Sequence, residues 1–195
     1  MKKLLITGFE PFGGETINSS WEAVSRLGES VGEYSLNKLR LPVVFGEAAK
    51  TVIDLADELQ PDAILCIGQA GGRKSITPEM VGINLRHGLV PDNRGYSPKD
   101  EIIISDGNDA YFSTIPVRKI AEGLKIKDIP AEVSYSAGAY VCNDVLYTLL
   151  ARFRGTETKV GFIHIPYCSE QGKSPSMPLD KITEALCIAI EHLDD

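Results

Sequence analysis

Short apolar runs alternate along this chain with stretches in which apolar residues recur at helical spacing. The runs are rich in Val, Ile and Leu, which is typical of strands buried in a sheet. They predict strands at residues 3–7, 38–44, 62–67, 79–85, 131–136 and 159–165, of which 79–85 is expected at an edge or in antiparallel pairing. The stretches of helical period predict helices at residues 19–27, 52–59 and 116–124, one that begins near residue 142, and a last one along residues 182–190.

Residues that start and stop helices support these boundaries. Ser19 and Glu22 have the spacing of a capping box, Pro116 suits the first turn of a helix, and Pro61 ends a helix. Residues 87–114 are rich in Gly, Pro, Asp and Asn and predict long loops with a short hairpin. The alternation of strands and helices predicts an α/β protein with a central sheet of five or six strands and helices on both faces.

Composition narrows the classes of function. The chain has 195 residues and a net charge of −7, so we expect no binding to nucleic acid or to an anionic membrane surface. The apolar segment at the beginning of the chain ends at residues 7–11 without a cleavage-site pattern. We therefore expect no signal peptide and predict a cytoplasmic protein. The four cysteines lack the spacing of a zinc site and are expected to be free thiols.

Cys142 lies where a predicted strand passes through small residues into a predicted helix. Unpaired N–H groups and the positive end of the helix dipole at such a position favour a thiolate over a thiol. The same N–H groups are suited to hold an oxyanion. Cys142 is therefore a candidate nucleophile, whereas Cys66 and Cys187 have the apolar surroundings of core residues.

A nucleophilic thiol needs a base and a group that orients the base. His164 ends an apolar strand, and functional groups gather at the carboxyl ends of strands in open α/β sheets. Glu79 lies where a loop enters a strand and is a candidate third member. On the residue pattern alone, a hydrogen-bonded core histidine and a surface glutamate are the favoured interpretations of these two positions.

Two glycine-rich turns follow predicted strands, at residues 8–14 and 68–72. The first lacks the Gly-x-Gly-x-x-Gly spacing of a dinucleotide site. It contains Phe9 and Phe12, which suit an apolar pocket for a small flat ligand. The glycines of the second turn allow a ligand to approach the backbone closely.

Six stretches combine into a family pattern: residues 7–14 (TGFEPFGG), 68–73 (GQAGGR), 77–79 (TPE), 91–93 (PDN), 136–143 (SAGAYVCN) and 162–166 (FIHIP). In this order and spacing they resemble the pyroglutamyl-peptidase (pyrrolidone-carboxylate peptidase) family of cysteine peptidases across nearly the whole chain. One such stretch alone is weak support, whereas six in register are highly specific.

The resemblance implies a catalytic triad of Cys142, His164 and Glu79 in a single domain over residues 1–195. That domain is expected to have three α/β/α layers and a twisted, largely parallel (mixed) central sheet. The implied reaction removes N-terminal pyroglutamate from peptides by thiolate attack, acyl-enzyme formation and hydrolysis. A homotetramer without metal or cofactor is also implied. The implied substrate-binding residues are Phe9, Phe12, Asn18, Gln69, Tyr140 and Val141.

The chain departs from the family pattern at a few positions. Leu89 stands where the family usually has an arginine close to the active site, Tyr135 where it has asparagine, and Ser19 where it has proline. Arg86 and His87 are candidates to replace the missing cation. The departures leave open a catalytically weak or inactive homologue that binds pyroglutamyl or other cyclic-amide ends.

Two further alternatives rest on weaker grounds. A thiol redox sensor would use Cys142 and Cys168, although the two lack the spacing of a close resolving pair. A nucleoside-processing enzyme with a similar sheet rests on analogy of fold alone.

Overall fold

The computed structural model describes residues 1–195, which form ten strands and five α-helices. The helices are α1 (Ser19–Arg26), α2 (Glu47–Leu59), α3 (Val117–Ile126), α4 (Val141–Arg152) and α5 (Leu179–Glu191). The strands are β1 (Lys2–Phe9), β2 (Ser30–Val31), β3 (Tyr34–Leu41), β4 (Ala63–Gln69), β5 (Thr77–Pro78), β6 (Val81–Ile83), β7 (Ala110–Phe112), β8 (Lys159–Ile165), β9 (Tyr167–Cys168) and β10 (Ser176–Met177). None of the helices combines the length and the apolar character that crossing a membrane requires.

Six strands form the central sheet, in the order β2-β3-β1-β4-β8-β5. The four inner strands β3, β1, β4 and β8 are parallel, and the short edge strands β2 and β5 run antiparallel to their neighbours. Parallel inner strands bring their carboxyl ends to one edge of the sheet. The predicted α/β class, with a mixed and largely parallel sheet, is confirmed.

Two hydrophobic cores cover the two faces of this sheet. Along β1, Leu4 and Ile6 face a core of 30 buried residues shared with α1, α3 and α5. Leu5 and Phe9 face the opposite way, into a core of 18 buried residues shared with α2 and α4. Since side chains alternate along a strand, one sheet serves both cores, and the result is three layers of helix, sheet and helix.

Two predicted strands differ from the structure. The strand predicted at 38–44 is β3, Tyr34–Leu41, because Pro42 lacks the N–H group that a ladder needs. The strand predicted at 131–136 is not a regular strand. It makes only isolated parallel bridges, from Ala131 to Ile76 and from Ser134 to Glu79.

The strand predicted at 79–85 is shorter in the structure. Within that range only β6 is a strand, and it pairs antiparallel with β7. β5 lies just before the predicted range and pairs antiparallel with β8. Glu79 lies between β5 and β6 with its side chain fully buried.

Helix α1 is capped by Asn18 and not by the predicted capping box of Ser19 and Glu22. The Asn18 side chain accepts a hydrogen bond from the N–H of Ser20. The Ser19 hydroxyl instead donates to the carbonyl of Pro166, 2.8 Å away. A polar partner from the distant end of β8 therefore outcompetes the local cap.

Gly8 is the point at which β1 approaches α1 most closely. A Cβ atom there would lie 2.7 Å from the Cα of Trp21 and 2.8 Å from the Ser20 carbonyl atoms. We expect Gly8→Ala to lower the free energy of unfolding by about 1–3 kcal/mol, since backbone atoms must move to accept the methyl group. Urea unfolding measures the change.

The matched control is Gly28→Ala, whose Cβ atom would have its nearest neighbour at 3.6 Å. Its expected effect on the free energy of unfolding is within about 0.5 kcal/mol. Equal midpoints for Gly8→Ala and the wild type would contradict the tight strand–helix approach.

Candidate active site

The carboxyl ends of β4 and β8 bring two sequence-predicted residues to one place. Gly68 of β4 is the register partner of His164 of β8, so both positions face the same side of the sheet. A Cβ atom at Gly68 would lie 3.0 Å from Cys142 Sγ, at the start of α4. The thiol therefore occupies the space that a glycine leaves open, directly beside the strand position that carries the imidazole.

His164 and Glu79 form a buried hydrogen-bonded pair. Nδ1 of His164 lies 2.7 Å from Oε1 of Glu79, and the Glu79 side chain is 0% exposed. A carboxylate accepts, so the imidazole carries its proton on Nδ1 and leaves Nε2 free as a base. Glu79 is therefore not the surface glutamate that the residue pattern alone favours, whereas His164 is a buried, hydrogen-bonded histidine as that pattern favours.

Burial and pairing set the charges of this pair. Burial alone would raise the pKa of Glu79, but the hydrogen bond from His164, the Ser134 hydroxyl and the positive charge of Arg73 together lower it. Burial lowers the pKa of His164; the nearby Glu79 carboxylate opposes that shift and Arg73 adds to it. The pair at neutral pH is therefore a carboxylate and a neutral imidazole.

Cys142 is the second residue of α4, and its N-cap residue Tyr140 has extended backbone. The N–H groups of Val141, Cys142 and Asn143 belong to the first turn, which has no intrahelical acceptors for them. Burial, followed by the charge of Glu79, nevertheless raises the pKa of the Cys142 thiol to about 12. The helix start and burial therefore act on this thiol in opposite directions, and the raised pKa favours a neutral thiol at rest.

A small cavity of about 50 Å³ opens onto the thiol. On this measure a single water needs roughly 10–15 Å³, so the cavity has room for a few water-sized groups. No charged side chain lines it. All six predicted substrate-binding residues do, together with Cys142 and one residue that the sequence did not reveal: Phe9, Phe12, Asn18, Val43, Gln69, Tyr140, Val141 and Cys142.

Aromatic rings form the walls of the cavity and connect it to the imidazole. The ring centroids of Phe12 and Tyr140 are 6.2 Å apart, and those of Phe9 and Phe162 are 6.3 Å apart. Phe162 in turn lies 4.8 Å from the His164 ring. The imidazole is thus packed against the outer side of the cavity wall.

The side-chain amides of Gln69 and Asn18, which line the cavity, have different hydrogen-bonding roles. Gln69 Oε1 accepts hydrogen bonds from the N–H of Ser19 at 3.0 Å and from its hydroxyl at 3.2 Å. This leaves the Gln69 NH₂ group free to donate to a ligand. Asn18 has both ends engaged, with the Glu10 carbonyl and with Ser20, so it supports the Phe9–Phe12 turn.

The Phe9–Phe12 turn is also held from the opposite side by a pair of residues whose role the sequence analysis did not find. The carboxylate of Glu10 accepts a hydrogen bond from the Asn93 side chain at 2.8 Å. Asn93 also donates to the carbonyl of Pro11 at 3.0 Å. The PDN stretch at residues 91–93 thereby fixes an aromatic wall.

Arg73 is a second residue whose role the sequence analysis missed. It is quoted in the GQAGGR stretch, but only its glycines carried an interpretation. Its guanidinium lies 2.7 Å from Oε1 of Glu79, the oxygen that also receives the His164 proton. The only feature of the sequence that could have indicated this role is the position of Arg73, six residues before the candidate carboxylate Glu79.

Two of the three positions that depart from the family pattern lie at the surface, whereas the third, Ser19, is fully buried. Leu89 is 91% exposed and Tyr135 is 63% exposed. Arg86 pairs with the buried Asp144, and His87 pairs with Asp100. Neither Arg86 nor His87 lines the cavity, so neither supplies a cation in place of the missing arginine.

A thiol, an imidazole and a carboxylate are the groups that a cysteine hydrolase uses, and comparison with known proteins gives the family of the chain. The sequence model of the pyroglutamyl peptidase family matches residues 2–194. The chain is 47% identical over 194 residues to pyrrolidone-carboxylate peptidase of Thermococcus onnurineus, covering 97% of both chains. It is also 47% identical to the enzyme of the same name from Bacillus amyloliquefaciens, covering 96% of this chain and 90% of that one.

Solved structures agree with the sequence comparison. The crystal structure of Bacillus amyloliquefaciens pyroglutamyl peptidase I superposes with a TM-score of 0.94 at 46% identity, covering 99% of this chain and 97% of that one. Pyrrolidone carboxyl peptidase from Thermococcus litoralis gives a TM-score of 0.93 at 36% identity, covering 99% and 93%. The chain belongs to the pyroglutamyl peptidase family.

A neutral resting thiol has a kinetic signature. Only the thiolate reacts with iodoacetamide, and its fraction rises about tenfold per pH unit below the thiol pKa. Because burial raises the pKa of Cys142 to about 12, we expect its rate of alkylation to keep rising between pH 7 and pH 9. Mass spectrometry of the peptide that contains Cys142 follows the rate, with half-buried Cys187 as internal reference. A rate that levels off below pH 8 would show a thiolate already formed at rest.

Proposed function

We propose that this protein is a cysteine peptidase that removes N-terminal pyroglutamate from peptides, with Cys142 as nucleophile, His164 as base and Glu79 as the group that orients the base. One observation carries the proposal: the buried pair of His164 and Glu79, joined at 2.7 Å, stands beside a cysteine that opens onto a small aromatic cavity. Membership of the pyroglutamyl peptidase family supplies the substrate class.

The cavity suits a lactam better than a free amino terminus. Pyroglutamate has no ammonium group, and no carboxylate lines the cavity to bind one. An unmodified N-terminus would lose its hydration there without a partner, which is costly for a charged group. Aromatic walls from Phe9, Phe12 and Tyr140 suit a flat ring, and the free NH₂ of Gln69 suits a lactam carbonyl.

The reaction begins from a neutral thiol and a neutral imidazole. As Cys142 Sγ attacks the pyroglutamyl carbonyl, its proton passes to Nε2 of His164 and the carbonyl oxygen becomes an oxyanion. The N–H groups at the start of α4 stabilise that oxyanion; losing one such donor typically costs about a hundredfold or more in rate. Proton transfer and attack are then coupled, because a separate thiolate is unfavourable here.

The second half of the reaction returns every group to its starting state. The imidazolium gives its proton to the leaving amine, the C–N bond breaks, and the pyroglutamyl group remains as a thioester on Cys142. His164 then takes a proton from a water molecule that attacks the thioester. Free pyroglutamate leaves, and the thiol is restored.

The alternative of a homologue that binds without fast turnover rests on Leu89 and Tyr135, both exposed. It predicts affinity for pyroglutamyl ends with no release of the leaving group. The paired His164 and Glu79 favour the enzyme, since a pure binder gains nothing from a buried imidazole–carboxylate pair. A redox sensor through Cys142 and Cys168 is disfavoured, because these residues pack against cores on opposite faces of the sheet.

We also propose a homotetramer in the cytoplasm. All four cysteines are free, which suits a reducing compartment. Leu89, Val90 and Ile102 are exposed apolar side chains on one long connection, and exposed apolar surface suits contacts between subunits. Sedimentation velocity of the purified chain tests the assembly.

Replacing the proposed nucleophile separates the enzyme from the binder. Cys142→Ala is expected to abolish release of the chromophore from a pyroglutamyl reporter amide, because no other group can form the thioester. The control is Cys187→Ala, half-buried on α5, which should retain turnover. Circular dichroism confirms that both variants fold.

Two results would overturn the proposal. Undiminished turnover by Cys142→Ala would remove the covalent mechanism. Binding of a pyroglutamyl peptide by the wild type, with neither a burst nor turnover at high enzyme concentration, would establish the binder.

A further inference from the structure

Arg73 stands behind the proposed catalytic pair and makes three hydrogen bonds, one of them to the pair itself. Its guanidinium donates to Oε1 of Glu79 at 2.7 Å, to the hydroxyl of Thr77, and to the carbonyl of Ser136 at 3.3 Å. The Thr77 hydroxyl in turn donates to the carbonyl of His164 at 3.3 Å. A single side chain therefore fixes the carboxylate and the backbone of the histidine together.

The two oxygens of Glu79 are used unequally. Oε1 receives both the Nδ1 proton of His164 and the guanidinium of Arg73, each at 2.7 Å. Oε2 is buried and has no hydrogen-bond partner. Both close hydrogen bonds to the carboxylate therefore fall on one oxygen, and the Ser134 hydroxyl adds a weaker contribution. Without Arg73, His164 would be its only polar anchor there.

Arg73 also changes the charge that the imidazole experiences. Glu79 alone would favour a protonated His164, as a buried carboxylate does. The guanidinium offsets part of that charge, so protonation of His164 would place a second positive charge near Arg73. The thiol of Cys142 on α4 is a further titratable group within reach of the Glu79 charge, and burial together with that charge raises its pKa.

We propose that Arg73 is a positioning residue for the Glu79–His164 pair, which holds Oε1 in line with Nδ1 and balances the charge of the buried carboxylate. The inference rests on the proposed function, because it assigns Arg73 to the base of that reaction. Arg73 is absent from the cavity lining, so its effect on substrate binding is small.

The test compares Arg73→Met and Arg73→Lys with the wild type and with Arg152→Met. Arg152 pairs with Asp57 at the surface and serves as the control for loss of an arginine. The profile of kcat/KM against pH is measured on a pyroglutamyl reporter amide. Loss of the positive charge raises the pKa of His164, since Arg73 is one of the groups that lower it. We therefore expect the acid limb of Arg73→Met to move to higher pH, with kcat reduced and KM nearly unchanged.

Arg73→Lys separates charge from geometry. A lysine keeps the positive charge but not the forked donors, so its acid limb should stay at the wild-type pH while kcat falls. It also serves if Arg73→Met does not fold. An acid limb that shifts as far in Arg73→Lys as in Arg73→Met, or one that stays in place in a folded Arg73→Met, would overturn the inference.

A second readout does not depend on turnover. The chain has only three histidines, so NMR titration of the imidazole carbons resolves His164 directly. The His164 midpoint should rise in Arg73→Met and remain in Arg152→Met. If the wild type has no activity and the His164 midpoint still rises in Arg73→Met, the proposed function is overturned and the role of Arg73 is retained. If the wild type is active and the midpoint does not rise, the role of Arg73 is overturned and the proposed function is retained.

Discussion

The buried carboxylate of Glu79 is the constraint on which the site depends. An ionised carboxylate without partners would cost several kcal/mol in the interior. Here it is offset by His164 on β8 and by Arg73 on the turn after β4, both at 2.7 Å. Because these partners come from separate segments, the pairing that makes Glu79 tolerable inside the protein also assembles the proposed base. The same two contacts therefore stabilise the local fold and set the geometry of the site.

The start of α4 is held to that pair by polar side chains of its own first turn. Asn143 bonds to the backbone of Ile83 at 2.9 Å through both ends of its amide, which ties β6 to the helix. Asp144 accepts from the N–H of Gly46 at 2.7 Å and pairs with Arg86. These anchors hold the helix so that Cys142 Sγ sits over the space left by Gly68. Arg86, a candidate to replace the arginine that the family usually has where Leu89 stands, therefore helps to hold the helix.

Much of this arrangement follows from periodicity and the family pattern, and the failures share one cause. The bounds of β8 and the start of α4 were predictable because long apolar runs and helical spacing fix them locally. The segment 131–136 has the composition of a strand, yet neighbouring backbone allows it only isolated bridges. The cap of α1 and the role of Arg73 were missed because each depends on a contact that only the folded chain creates: Ser19 bonds to the distant Pro166, and the turn after β4 brings Arg73 back onto Glu79, six residues along. The same holds for Cys142, since a helix start is visible in the sequence whereas the burial that raises the thiol pKa is not.

The combined electrostatics of the site favour an uncharged thiol–imidazole pair. Burial raises the pKa of Cys142 and lowers that of His164, and Arg73 adds to the second shift. Forming thiolate and imidazolium in the empty site would separate charge in a region with little water to stabilise it. Once a carbonyl carbon accepts the sulfur electrons, the negative charge moves to an oxygen within reach of the first-turn N–H groups of α4. Reactivity then depends on a bound substrate, because only the substrate moves the charge from sulfur to a place where the protein can stabilise it.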